Sequence, residues 1–138
     1  MIVSSESIRE RFFNLWPGLQ FIVLTDPFWE QPTVADIRSY MNKLHKPPYV
    51  ENIFECEEFA IEFVSELRKR RAAASLGMPG EKRNWPVGFV WGTKFSGKGI
   101  NHFWNIAVVE EGIMCVERQT GEIRSASPDL DVVHFLFM

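Results

Sequence analysis

The hydrophobic period changes once along this chain, and that change limits the folds open to it. Up to about residue 76 the apolar side chains recur at helical spacing, and from about residue 85 they alternate. Ser7 to Trp16 reads as a short helix stopped by Pro17-Gly18, and Phe21 to Leu24 as a brief extended run ended by Asp26-Pro27. Thr33, with Asp36 three residues on, is an N-capping pair. The helix it opens carries Val34, Ile37, Met41 and Leu44 as its apolar stripe until Pro47-Pro48 closes it. A longer helix starts near Phe54 and runs to about Ala74, with Cys56, Phe59, Ala60, Phe63, Val64 and Leu67 on one face. Leu76 to Trp85 reads as a loop.

The second half holds short β-rich runs at Val87 to Trp91, His102 to Val109, Ile113 to Gln119 and Val132 to Phe137. Glu110-Glu111-Gly112 is tight enough to join the middle two as an antiparallel hairpin. Helices first and antiparallel sheet afterwards is an α+β layout. The expectation is one domain over residues 1–138, helical over about 1–76 and sheet over about 85–138, with no internal repeat.

Charge and cysteine usage narrow the function. A formal charge of -3 and a pI near 5.6 argue against nucleic acid, whose affinity rests on Lys and Arg. The dense basic run Arg68-Lys69-Arg70-Arg71 falls late in the long helix, where it complements the macrodipole. Twelve Phe and five Trp supply a core of large side chains. Glu6, Arg9, Glu10 and Arg11 stand where a signal peptide needs an apolar core, and no stretch is apolar enough to span a bilayer. Cys56 and Cys115 are too few for a disulfide framework and lack metal-ligand spacing. A cytoplasmic protein follows, with no membrane or nucleic-acid partner and no cofactor that the sequence requires.

Cys56 stands in the first turn of the long helix, where unpaired N–H groups and the dipole favour a thiolate. Glu55, Glu57 and Glu58 oppose that. His102 opens a strand on which Trp104, Ile106 and Val108 share its face, while Phe103, Asn105, Ala107 and Val109 take the other. Both faces are apolar, so the strand is central, and Asn105 anchors it rather than serving His102. On the next strand Cys115, Glu117 and Gln119 share a face, and either Glu117 or Gln119 can hold the imidazole in one tautomer. His45 and His134 read as structural.

These pieces resemble a known family. Asn52-Ile53-Phe54-Glu55-Cys56-Glu57-Glu58-Phe59-Ala60 is similar to the "DCDDFA" helix start of the papain-like cysteine protease family known from the C-terminal domain of the fairy-ring mushroom agglutinin. Bacteria and phages carry stand-alone members. His102-Phe103-Trp104-Asn105 resembles its "HAxN" strand, and Glu117-Arg118-Gln119-Thr120-Gly121-Glu122 its "EPQTGE" strand end. Arg118 departs from the family proline, and Glu replaces Asp around the Cys.

The resemblance implies a papain-like fold and a thiol hydrolase, a peptidase that cleaves an amide bond through an acyl-enzyme. Cys56 would be nucleophile, His102 base and Glu117 or Gln119 orienter, with Glu117 favoured because a carboxylate stabilises imidazolium. Asn52 would complete an oxyanion pocket with the Cys56 N–H, or Gln119 would if Glu117 is the orienter. A protein or peptide would be the substrate. Calcium is implied too, with Asp26, Glu51, Glu55, Glu57 and Glu58 as oxygen donors. The alternatives are a catalytically weak or inactive binding or inhibitor protein on the same fold, and a transglutaminase-like acyl transferase.

Overall fold

The structure is a computed structural model that describes residues 1–52, 55–76 and 83–138. Ile53 and Phe54, near the expected start of the long helix, lie outside the described residues, as does most of the expected Leu76 to Trp85 loop.

Strand β1 (Ile2–Ser4) runs straight into helix α1 (Ser5–Leu15), whose cap is Ser4: its hydroxyl accepts from the Ser7 N–H. Ile8 and Phe12, four apart on α1, are its buried residues. Two short strands follow, β2 (Phe21–Val23) and β3 (Phe28–Glu30), and β3 pairs with β1 as an antiparallel ribbon. Helix α2 (Val34–Lys43) opens on a full capping box: Thr33 Oγ1 accepts from Asp36 N–H, and Asp36 Oδ2 accepts from Thr33 N–H. Helix α3 (Cys56–Ser75) is the longest, and its buried residues are Phe59, Ala60, Phe63, Val64 and Leu67.

The remaining strands are β4 (Val87–Lys94), β5 (His102–Val109), β6 (Gly112–Glu117), β7 (Glu122–Ser125) and β8 (Val132–Phe137). With β2 they make a six-stranded sheet in the order β2-β8-β4-β5-β6-β7. Helix α1 covers one face, where Ile8, Phe12, Trp16 and Trp29 pack on Val90, Trp104, Ile106 and Leu136. Helices α2 and α3 cover the other, where Ile37, Phe63 and Leu67 meet Val87, Ala107, Val109 and Val116. Strand β5 is therefore buried on both sides, as its two apolar faces require. Gly88 and Gly92 let the chains approach closely. A Cβ on Gly92 would lie 2.1 Å from the Val132 carbonyl oxygen and 2.7 Å from the Trp104 ring.

The expected fold class, N-terminal helices packed on a C-terminal antiparallel sheet, needs correction. Three strands, β1, β2 and β3, lie within the first thirty residues. The sheet is mixed, because β2 pairs with β8 in parallel. The physical reason is length: three-residue strands carry too little alternation to register against a helical background, and their pairing comes from distant partners. Among the described residues eight strands stand beside three helices.

Candidate functional site

His102 is the first residue of β5 and Glu117 the last of β6, and antiparallel pairing of Asn105 with Val116 brings the two close. The Glu117 Oε2 and His102 Nε2 atoms are 2.6 Å apart, a short charge-assisted contact with both side chains largely buried. Glu117 Oε1 accepts from the Gln119 N–H at 3.2 Å. The Gln119 carbonyl accepts from Lys46 Nζ at 2.7 Å. The partner on the ring is thus Glu117, and Gln119 contributes its backbone.

Cys56 stands half-buried at the start of α3, close enough to the His102 ring to influence its charge. With Nε2 taken by Glu117, Nδ1 is the ring nitrogen left for sulfur. Burial works against charge on His102. The hydrogen bond to Cys56, then that to Glu117, then their negative charges outweigh it and raise the ring to about 9. Two aromatic rings flank the imidazole, Phe95 at 4.9 Å and Trp104 at 5.8 Å between centroids. The thiol has a second neighbour, Glu57 Oε2 at 3.4 Å, a contact in which sulfur serves only as donor.

The other predicted residues fall as follows. Asn52 is exposed in a turn at φ 62°, and its N–H donates to Glu55 Oε1. Asn105 is buried and donates from Nδ2 to the Ala60 carbonyl of α3 at 2.8 Å and to the Gly88 carbonyl of β4 at 3.1 Å. It ties helix to sheet. The carboxylates considered for calcium are engaged locally. Glu58 accepts from the Glu55 N–H, Glu55 from Asn52, and Asp26 from Asn84 Nδ2. Among the described residues no three His, Cys, Asp or Glu side chains converge as metal ligands.

Several residues escaped sequence reasoning. Asp131, fully buried, receives Arg124 at 2.5 and 2.9 Å and the N–H groups of Ser96 and Ser127 at 3.1 Å. Cys115 points its thiol at the same carboxylate, and burial pushes that thiol up to about 12. Arg118, noticed only as a replaced proline, is a buried cation. On the α3 side of the sheet, toward β2, a cavity of about 360 Å³ is lined by Gln20, Phe21, Trp91, Phe103, His134 and Phe135. The alternating aromatics of β4, β5 and β8 were its only signal.

No helix among the described residues is long and apolar enough to cross a membrane. No protein-family description matches this chain, and neither does any curated protein. Solved structures do. A complex of PSL1a with E64 superposes with a TM-score of 0.79 at 19% identity, covering 99% of this chain and 51% of that one. Polyporus squamosus lectin bound to the human-type influenza-binding epitope Neu5Acα2-6Galβ1-4GlcNAc gives 0.73 at 19% identity, covering 99% and 49%. This chain thus spans about half the length of each. These neighbours correct the expectation of a papain-like cysteine peptidase: the fold is that of part of a lectin structure. The peptidase and hydrolase reading, with its peptide substrate, has no support in them. At this identity the likeness establishes the fold alone, one that this chain shares over nearly its whole length with half of a fungal lectin.

Proposed function

We propose that this domain is a ligand-binding module whose site is the Cys56–His102–Glu117 constellation. The observation that carries it is the 2.6 Å contact of Glu117 with His102 Nε2, beside a ring whose charge Cys56 also supports. Backed by a buried carboxylate on Nε2, the charged imidazole keeps one N–H, at Nδ1, to serve the thiol and then a ligand oxygen that takes its place. Where the ligand carries an electrophilic carbon, sulfur adds to it. With an epoxide one C–S bond forms and one C–O bond breaks; the charged ring gives a proton to the freed oxygen, and the thiol proton replaces it on the ring. That PSL1a, with the same fold, was solved with E64 supports a site open to such reagents.

Intact mass after exposure to the thiol-directed epoxide E64 tests this. A single adduct is expected, mapped to Cys56, absent in Cys56→Ala and at least about tenfold slower in His102→Ala. Labelling of Cys115 in its place, or none on the folded protein, sinks the proposal.

A second reading rests on the aromatic cavity. Rings of Phe21, Trp91, Phe103 and Phe135 beside the polar tips of Gln20 and His134 suit a sugar ring, which stacks its C–H face and hydrogen-bonds at its edge. The lectin neighbour's glycan makes Neu5Acα2-6Galβ1-4GlcNAc the probe to use. Calorimetry is expected to show binding that Trp91→Ala weakens tenfold or more, and no heat with the wild-type protein removes this reading.

A further inference from the structure

We infer that Arg118 is a positioning residue that sets the spacing between the thiol and the imidazole. The inference rests on the proposed site, because it concerns how Cys56 and His102 are kept together. Strand β6 ends at Glu117, the carboxylate on His102, and Arg118 is the next residue. Its side chain is only 3% exposed. One end of the guanidinium pairs with the Glu62 carboxylate of α3, the other donates to the His45 carbonyl just after α2, and the plane lies 5.6 Å from the Phe63 ring. One planar group therefore ties the end of β6 to the helix that begins with Cys56.

Glu62 lies six residues beyond Cys56, about 9 Å along the axis at the usual rise. A helix is stiff over that distance, so fixing Glu62 fixes the sulfur. The opposite end is equally constrained. Glu117 is held through Gln119, the Gly121 N–H closes the turn on the Glu117 carbonyl at 2.8 Å, and Lys46 holds the Gln119 carbonyl. An apolar side chain in this slot would stabilise the fold about as well as a buried ion pair does. What the guanidinium adds is direction: a rigid fork whose two ends must both find acceptors.

The test measures the second-order rate of Cys56 alkylation by E64 from pH 5 to 9.5 and, separately, the His102 titration by NMR. Arg118→Met preserves bulk and burial. It is expected to slow alkylation at pH 7 at least tenfold and to lower the His102 midpoint, because the sulfur that supports the charged ring has drifted. Arg118→Lys is expected to recover part of the rate, since one amine satisfies one acceptor. Glu62→Gln, gentler on folding, should slow the reaction about threefold. Ile8→Val, under the opposite face of the sheet, controls for a general loss of stability. A wild-type rate and an unchanged His102 midpoint in Arg118→Met overturn the inference, as does equal slowing by Ile8→Val at equal loss of melting temperature. If wild-type Cys56 fails to react, the site reading falls. The His102 titration, which needs no reaction, then still decides on Arg118.

Discussion

At His102 the pull of Cys56 and Glu117 works against burial, and the balance sets how the protein responds to pH. The ring sits at about 9 in the folded chain against 6.5 when free, held up by Cys56 and Glu117 against the opposing effect of burial. A raised value means that the charged ring stabilises the folded state. That contribution is complete below pH 6.5 and is lost as pH climbs through 9. The melting temperature is therefore expected to fall across that interval. Glu117→Gln should flatten the fall and bring the NMR midpoint of His102 down by a unit or more, and an unmoved midpoint would assign the support to Cys56 alone. Glu117 was readable beforehand because strand alternation puts residues two apart on one face. Between it and Gln119 the alternation was silent, and Glu117 was favoured only because a carboxylate stabilises imidazolium.

Among the elements, the chain between β7 and β8 does more than connect. Asp131 lies on it, fully buried, and gathers Arg124 of β7 and the Ser96 N–H beyond β4, while the Trp16 indole after α1 donates to its carbonyl. Burial works against its charge, but the Arg124 hydrogen bonds and the two N–H groups win and hold the carboxyl below its usual 3.8. Its stabilising effect is present above that value and lost as pH falls through the lower folded one. Asp131→Asn leaves Arg124 without its counter-charge. It is expected to cost about 3–5 kcal/mol and to remove part of the acid dependence of stability, both measurable by urea unfolding between pH 3 and 6. Nothing in Ser127-Pro128-Asp129-Leu130-Asp131 marks the last aspartate as buried, because Arg124, Ser96 and Trp16, three of its partners, lie outside that stretch. The longer elements were legible for the opposite reason. Thr33 and Asp36 are local signals, and the α3 stripe repeats five times within its own helix.

Across the whole molecule, the sheet order departs most from the order of synthesis. Strand β8, the last of the described strands, lies between β2 from the first half and β4 from the second. Its register pairs Phe135 with both Phe21 and Trp91. Periodicity identified β8 as a strand but held no information on its place in the sheet, which is fixed by packing against Val90 and the α1 layer. A ribosome making this chain therefore exposes β2 for as long as it takes to add more than a hundred residues after Val23, and the open edge of β4 for about forty after Lys94. Until Val132 to Phe137 emerge, those two edges have no strand to fill the gap between them. Completion of the sheet is a late event that waits on its final strand, and a nascent chain of this kind has good reason to meet a chaperone on the way out.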